Sequence, residues 1–276
     1  MNSKSAHPRR QGTAARRNRQ GMRRARFAIL ARMSAEDPPA VAPTFSKLHV
    51  AAAWGVHLYT ALGLVLALAS VDALVHADAQ RFLLLNLAAM FIDGSDGTLA
   101  RKVRVKEVVP FDGALLDNIA DYITYVFLPA LAFVAFDLLP GSWQWVVVMP
   151  VLASVYQFCQ SIAKTDESFV GFPSYWNLVF LYFYVLQPDP MTTAISLLAL
   201  SVLVFVPIHY VYPSRTVLLK PLTLGLGMVW FAACVAIGLA PHASWAPMVA
   251  LGSLAYVAYY IVLSGVLHFR IRRGLA

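Results

Sequence analysis

The chain has 276 residues, of which 59% are hydrophobic and 13% are charged, and its formal net charge is +8. Soluble proteins average about 45 to 50% apolar and about 25% charged residues, so this composition excludes an ordinary soluble domain and predicts a protein embedded in lipid. The two cysteines, Cys159 and Cys234, have no partner at metal-ligand spacing and indicate neither a zinc site nor a disulfide framework.

A basic tail precedes the apolar part of the chain. Residues 1–47 contain eleven lysines and arginines against two acidic residues, Glu36 and Asp37. We predict a disordered cytoplasmic tail near anionic lipid headgroups, and neither a nucleic-acid-binding arm nor a secretory signal. Met33 reads like an ordinary start, so residues 1–32 are a candidate over-extension of the gene. The membrane domain is predicted over residues 48–276.

Apolar segments follow one another through the membrane domain. A bilayer about 30 Å thick needs roughly 20 apolar residues per crossing helix. Eight segments qualify: 49–70, 81–100, 113–137, 143–163, 171–187, 190–208, 222–240 and 245–268. Proline and glycine separate them, as at Pro140-Gly141 and Pro241. The sequence therefore predicts an all-α fold, a polytopic membrane bundle of about eight transmembrane helices.

The cationic residues are distributed unevenly between the two predicted sides of the membrane. The tail, residues 101–106, Lys164 and residues 270–273 fall on one side, whereas Arg81 falls on the other. Cytoplasmic loops are enriched in lysine and arginine, so both termini are predicted to be cytoplasmic.

Four carboxylates lie in or beside the second and third segments. Asp93 and Asp96 are spaced i, i+3, while Asp117 and Asp121 are spaced i, i+4 on the next segment. An ionised residue at the centre of a membrane helix costs about 2.5 to 3.5 kcal/mol, so four of them require a compensating positive charge. Both pairs are predicted at the same depth, near the cytoplasmic surface. Other acidic residues at segment ends, including Asp78 and Asp112, are expected to be simply solvated.

The nature of that positive charge follows from the residue types. Arg101 alone cannot neutralise four carboxylates, whereas hard divalent cations bind carboxylate oxygens and share them with substrate phosphates. One or two Mg²⁺ or Mn²⁺ ions are predicted, in the arrangement that serves phosphoryl transfer. Gly97 and Gly113 would let a nucleotide or diphosphate approach the helix backbones.

The spacing of these residues resembles the signature of the CDP-alcohol phosphotransferases. The matching positions are Asp93, Asp96, Gly97, Ala100, Arg101, Gly113, Asp117 and Asp121. Eleven residues separate Arg101 from Gly113, where family members usually have eight. The longer spacing, and the sequence of residues 171–177, are similar to the bacterial phosphatidylcholine synthase branch of the family.

The resemblance implies transfer of the phosphatidyl group from CDP-diacylglycerol to choline with release of CMP, dependent on Mn²⁺ or Mg²⁺, in the bacterial inner membrane. By position, Asp93, Asp96, Asp117 and Asp121 would bind metal, and Asp121 would also act as general base. The implied nucleotide-binding residues are Gly97, Ala100, Arg101 and Gly113. Homodimers are common in the family, so a homodimer is an expectation from the resemblance alone.

The choline cation suggests an aromatic subsite, because proteins commonly bind quaternary ammonium groups on aromatic faces. Candidates near the signature or in the similar segment are Tyr122, Tyr125, Tyr175, Trp176 and Tyr182. Aromatic residues of membrane segments more often serve packing or anchor the protein at the interface.

Three alternatives remain open from the sequence. Another acceptor, such as serine, inositol or glycerol phosphate, would keep the aspartate site and change the acceptor pocket. An intramembrane prenyltransferase also uses aspartates and Mg²⁺, but its two acidic motifs lie in separate halves of the chain. An ion carrier would explain intramembrane aspartates but not the glycines and the arginine at these spacings.

Overall fold

Helices separated by short connections make up most of the computed structural model, which describes residues 45–160, 162–165 and 168–275. Nearly all of the predicted basic tail, residues 1–44, lies outside these described residues. In chain order the helices are α1 (Lys47–Val75), α2 (Ala79–Val103), α3 (Val105–Val108), α4 (Gly113–Ala135), a 3₁₀ turn (Gly141–Val147) leading into α5 (Val148–Phe158), α6 (Trp176–Leu186), α7 (Pro190–Phe205), α8 (Lys220–Leu239) and α9 (Ala246–Arg272).

Five of the described helices are long and apolar enough to cross a membrane: α1, α2, α4, α8 and α9. The other three predicted segments contain α5, α6 and α7, with 11, 11 and 16 residues. At 1.5 Å per residue, an 11-residue helix spans only about 17 Å. These helices are shorter than the predicted segments, since α5 ends at Phe158, α6 begins at Trp176 and α7 ends at Phe205. The mainly helical class is therefore confirmed, and the described residues contain five long spans where eight were predicted.

A small two-stranded sheet was not predicted. Strand β1 (Ser168–Val170) pairs antiparallel with β2 (His209–Val211), with Ser168 opposite Val211. The backbone N–H of Val211 donates to Ser264 Oγ at 3.0 Å, and the Tyr260 hydroxyl donates to the Val211 carbonyl at 3.0 Å. The ribbon thus joins the connections that follow α5 and α7, and it is anchored on α9.

Three of the long or moderately long helices begin at an aspartate cap. Asp78 accepts from the Arg81 backbone N–H at 2.9 Å, and Asp112 accepts from that of Leu115 at 2.9 Å. Asp189 accepts from two backbone N–H groups at the start of α7. A capping side chain satisfies backbone donors that have no partner within the helix. Asp78 and Asp112 are exposed, as expected, and each also caps a helix.

An aromatic core fixes α2 against α4 and α6. Phe82, Phe133 and Phe180 are all buried, and the Phe180 ring lies 5.3 Å from that of Phe82 and 5.4 Å from that of Phe133. Edge-to-face rings at these distances stabilise the contact beyond the area they bury. Phe82 is at the start of α2 and Phe133 is near the end of α4, so this core holds the two helices together at the end opposite the signature aspartates.

Gly171, at the beginning of the segment 171–177, has a backbone conformation that requires glycine. Its φ is +82°, and an added Cβ would overlap the Val204 carbonyl oxygen. Gly171→Ala should therefore lower the free energy of unfolding by about 1 to 3 kcal/mol, measured as a lower melting temperature in detergent. Gly252→Ala is the matched control, because a Cβ there would meet nothing within 4 Å. Equal melting temperatures for the two variants would contradict this account.

Candidate active site

The helical hairpin of α2 and α4 brings the two acidic pairs together. Asp93 and Asp96 lie toward the end of α2, and Asp117 lies near the start of α4, after the short connection through α3. One carboxylate oxygen from each of these three residues lies within 4.8 Å of the others. Such an all-carboxylate set suits a hard divalent cation, which prefers oxygen ligands. The expectation that the two acidic pairs face each other is met by these three residues.

Two neighbouring hydroxyl groups orient the α2 carboxylates. Thr60 of α1 donates to Asp96 Oδ2 at 2.6 Å, and Asp96 is 6% exposed. Tyr125 of α4 donates to Asp93 Oδ2 at 2.6 Å. Hydrogen bonds of this kind fix the orientation of ligating carboxylates in metal sites. Thr60 was missed by the sequence analysis because it belongs to α1, outside the signature.

Asp121 lies beside the three clustered carboxylates but is held by a different partner. Its Oδ2 accepts from Lys164 Nζ at 3.0 Å, and its side chain is 11% exposed. Lys164 Nζ also donates to Asp117 Oδ2 and to Asn118 Oδ1, each at 3.3 Å. Burial lowers the pKa of Lys164, but the Asp121 and Asp117 carboxylates outweigh it and hold that pKa above its ordinary value. The sequence analysis assigned Lys164 only to the cytoplasmic side.

The helix changes geometry directly after Asp121. Residues Tyr122–Phe127 form a π-helical turn inside α4. The Thr124 carbonyl of this turn accepts from Asn86 Nδ2 of α2 at 3.1 Å. Such turns frequently occur at functional sites because they reorient neighbouring side chains. Here the turn carries Tyr125, whose hydroxyl reaches Asp93.

The four predicted nucleotide-binding residues lie at the exposed end of the α2–α4 hairpin. Arg101 is exposed and donates to Thr98 Oγ1 at 3.0 Å, and a Cβ on Gly97 would lie 3.4 Å from Arg101 Nη1. Ala100 lies on the turn of α2 between them and is partly buried. A Cβ on Gly113 would lie 2.6 Å from His57 Cε1 of α1. The missing Cβ at Gly113 therefore lets the His57 ring pack directly against the backbone at the start of α4.

His57 adds an aromatic wall beside Gly113. Its ring centre lies 4.5 Å from that of Phe111 and 5.8 Å from that of Trp54. His57 is 7% exposed, and its Nε2 has no hydrogen-bond partner among the described residues. A buried polar atom without a partner costs free energy unless a ligand or water completes it. From the sequence, His57 is expected to be a buried polar residue rather than a ligand, and the structure does place it in a buried position.

The predicted choline-binding residues separate into two groups. Tyr122, Trp176 and Tyr182 have their polar atoms engaged in helix packing: with the Val151 carbonyl at 3.2 Å, Ser154 Oγ at 2.7 Å and Ser253 Oγ at 2.7 Å, respectively. The Tyr175 ring lies 6.1 Å from that of Tyr125, which contacts Asp93. The structure therefore brings Tyr125 and Tyr175, but not Trp176, to the aspartates.

Tyr175 also contacts aromatic residues that sequence analysis missed. Its ring centre lies 6.4 Å from those of Phe169 and Tyr260, and Tyr212 stacks on Phe169 at 4.4 Å. Phe169 is on β1 and Tyr260 is on α9, so residues far apart in sequence meet next to the aspartates. No local spacing in the sequence could indicate this cluster.

Comparisons with known proteins show which family and which proteins the sequence is similar to. Residues 56–266 match the family described as CDP-alcohol phosphatidyltransferase. A phosphatidylcholine synthase of Pseudomonas aeruginosa is 40% identical over 190 residues, which cover 68% of this chain and 80% of that protein. A phosphatidylcholine synthase of Rhizobium meliloti is 37% identical over 228 residues, which cover 81% of this chain and 94% of that protein. One from Borreliella burgdorferi is 36% identical over 186 residues, covering 66% and 80%.

Proposed function

Because the chain belongs to the CDP-alcohol phosphatidyltransferase family, we propose that it transfers the phosphatidyl group of CDP-diacylglycerol to choline, giving phosphatidylcholine and CMP. The observation that carries the proposal is the cluster of Asp93, Asp96 and Asp117 beside Asp121, formed by the residues of the signature. Choline as acceptor is supported by relatives named phosphatidylcholine synthase that align over 66 to 81% of this chain. Purified protein supplied with CDP-diacylglycerol, Mn²⁺ and labelled choline should form labelled lipid. No labelled lipid would contradict the assignment.

Asp93, Asp96 and Asp117 would hold the catalytic metal, Mg²⁺ or Mn²⁺, with Asp121 as a further ligand. Each of the three residues offers one carboxylate oxygen, and these oxygens lie within 4.8 Å of one another, which suits such an ion. The bound ion would neutralise charge on the diphosphate of the substrate. Thr60 and Tyr125 would keep Asp96 and Asp93 in place through the hydrogen bonds that they donate.

Asp121 would act as general base on the choline hydroxyl. An alcohol is a poor nucleophile at neutral pH until a positioned base removes its proton during attack. The choline oxygen would bond to the phosphorus that carries diacylglycerol, its proton would pass to an Asp121 oxygen, and the bond to the CMP phosphate would break. Asp121 is 8% exposed, so little water would compete for this step.

Gly97, Ala100, Arg101 and Gly113 would bind the nucleotide. Of the two glycines, Gly113 has the less room for an added Cβ. Gly113→Ala would place a Cβ 2.6 Å from His57 Cε1 and displace that ring. We expect the rate of CMP release to fall about 5- to 150-fold, which corresponds to the 1 to 3 kcal/mol that overpacking costs. The double variant His57→Ala, Gly113→Ala should recover part of the loss. Gly94→Ala is the control, since its Cβ would meet nothing within 4 Å. A double variant no better than Gly113→Ala would argue against the contact.

Tyr125 and Tyr175, rather than Tyr122 and Trp176, would bind the trimethylammonium group of choline. Tyr175 is partly buried and lies between Tyr125 and the Phe169 ring. A cation over an aromatic face is stabilised by about 0.5 to 2 kcal/mol, so Tyr175→Leu should raise the KM for choline by roughly 3- to 30-fold. The KM for CDP-diacylglycerol should stay near the wild-type value, and Tyr175→Phe should retain choline binding. Equal KM values for choline in wild type and Tyr175→Leu would exclude this residue.

The proposed arrangement in the membrane has eight passages with both termini in the cytoplasm of a bacterial cell, and the site near the cytoplasmic face of the inner membrane. Five described helices have sufficient length. The other three passages would use the predicted segments 143–163, 171–187 and 190–208, which contain α5, α6 and α7. The proposed cytoplasmic side carries Arg101, Lys164 and the basic end of α9. The homodimer remains a prediction from the family.

A further inference from the structure

Within the described part of the chain, Lys164 is the lysine that forms ion pairs with signature aspartates, although it lies outside the signature. It follows α5 in the connection to β1, and its Nζ donates to Asp121 at 3.0 Å and to Asp117 at 3.3 Å. By contrast, the exposed Arg101 of the signature donates to Thr98. One lysine ammonium therefore contacts two carboxylates of the signature.

The residues directly before and after Lys164 form backbone hydrogen bonds, and the Lys164 side chain itself is long. The Val170 N–H donates to the Ala163 carbonyl at 2.9 Å, and the Thr165 N–H donates to the Ser168 carbonyl at 2.9 Å. The Lys164 ammonium lies 5.8 Å from the centre of the Phe158 ring, and its side chain is 34% exposed. A lysine ammonium on its flexible four-carbon stem can exchange one acceptor for another by side-chain rotation alone.

The charges at the site indicate where the ammonium would go. A divalent ion bound by the signature aspartates would repel the ammonium that now lies against Asp117 and Asp121. A nucleotide-linked lipid carries one negative charge on each phosphate of its diphosphate, so acceptors of the right charge would arrive beside the displaced lysine. The four carboxylates and the diphosphate together exceed the charge of two divalent ions, which leaves a need for a cation.

We propose that Lys164 is a substrate-binding residue: it neutralises Asp117 and Asp121 before metal binds, and it contacts the diphosphate of the nucleotide lipid afterwards. This inference rests on the proposed function, since it takes the substrate from it. A lysine that only stabilised the fold would have no effect on substrate affinity in the metal-loaded protein. The two roles therefore predict different affinities for the nucleotide lipid when Lys164 is replaced.

The test compares Lys164→Met, which removes the charge, with Lys164→Arg, which keeps it, and with Lys106→Met as an exposed control. Mn²⁺ binding without substrate is followed by the electron paramagnetic resonance signal of free Mn²⁺. Lys164→Met should bind Mn²⁺ about tenfold more tightly, because a competing positive charge is gone. CDP-diacylglycerol binding at saturating Mn²⁺ is followed by the rise in melting temperature. Lys164→Met should bind this lipid about tenfold more weakly, whereas Lys164→Arg and Lys106→Met should stay near wild type.

Unchanged or weaker Mn²⁺ binding in Lys164→Met would overturn the proposal, and so would unchanged binding of CDP-diacylglycerol. Should Lys164→Met fail to fold, Lys164→Gln replaces it in both titrations. Neither titration depends on turnover. A wild-type protein that binds CDP-diacylglycerol but releases no CMP with choline would therefore contradict the proposed function while leaving the role of Lys164 measurable.

Discussion

Asp121→Asn should lower the rate of CMP release from CDP-diacylglycerol and choline by about 10² to 10⁴-fold, the usual contribution of a general base. The amide keeps the shape of the carboxylate but cannot accept a proton. Because the proposed metal cluster consists of Asp93, Asp96 and Asp117, Mn²⁺ should still bind to the variant. Rates are measured by the CMP released from purified protein in detergent micelles or nanodiscs.

Asp137→Asn is the matched control for that substitution. Asp137 is exposed, follows the end of α4 and has a φ of +55°, a conformation that asparagine adopts readily. Its rate should equal that of the wild type. An Asp121→Asn enzyme that keeps more than about a tenth of the wild-type rate would show that Asp121 is not the base.

Removal of the divalent ion should lower the rate of CMP release at least as much as Asp121→Asn does. Treatment with EDTA should reduce CMP release by about 10³-fold or more, since the ion contributes several kcal/mol to the neutralisation of the transition state. Added Mn²⁺ or Mg²⁺ should restore the rate of wild type. Asp93→Asn removes a charged ligand from the cluster and should require a much higher Mn²⁺ concentration for any activity. Full activity of the wild-type protein in EDTA would contradict a metal-dependent mechanism.

The α2–α4 cluster could be predicted from the sequence because both of its halves are local patterns. The spacing of Asp93 with Asp96, and of Asp117 with Asp121, determines which side chains share a helix face. The short connection between Arg101 and Gly113 makes the two helices antiparallel neighbours, which brings the pairs to one depth. The family expected from the signature is confirmed by the match over residues 56–266. Membership of this family argues against the prenyltransferase and carrier alternatives.

The residues that could not be predicted are those brought to the site by tertiary structure. Thr60 comes from α1, and Lys164 lies 43 residues beyond its partner Asp121. Phe169 and Tyr260 meet Tyr175 because β1 pairs with β2 and the ribbon is anchored on α9. None of these contacts produces a period or a spacing in the sequence.

Hydropathy alone also overestimated the helix lengths in the middle of the chain. Residues 159–163 and 171–175 belong to two predicted segments, but α5 ends at Phe158 and α6 begins at Trp176, with strand β1 and the positive φ of Gly171 between them. A window of apolar residues measures compatibility with lipid or with a protein interior and not helix length. Burial of single aromatic residues is also not visible in the sequence: Trp176, predicted as a choline contact, is 1% exposed and packs in the core.

The most direct test of the central claim is the release of CMP by purified protein given CDP-diacylglycerol and Mn²⁺, with choline compared against serine, inositol and glycerol phosphate. We expect release with choline and only background release with the other three, and we expect EDTA to abolish it. Release with another of these alcohols but not with choline would contradict the acceptor, and no release with any of them would contradict phosphatidyl transfer by this site.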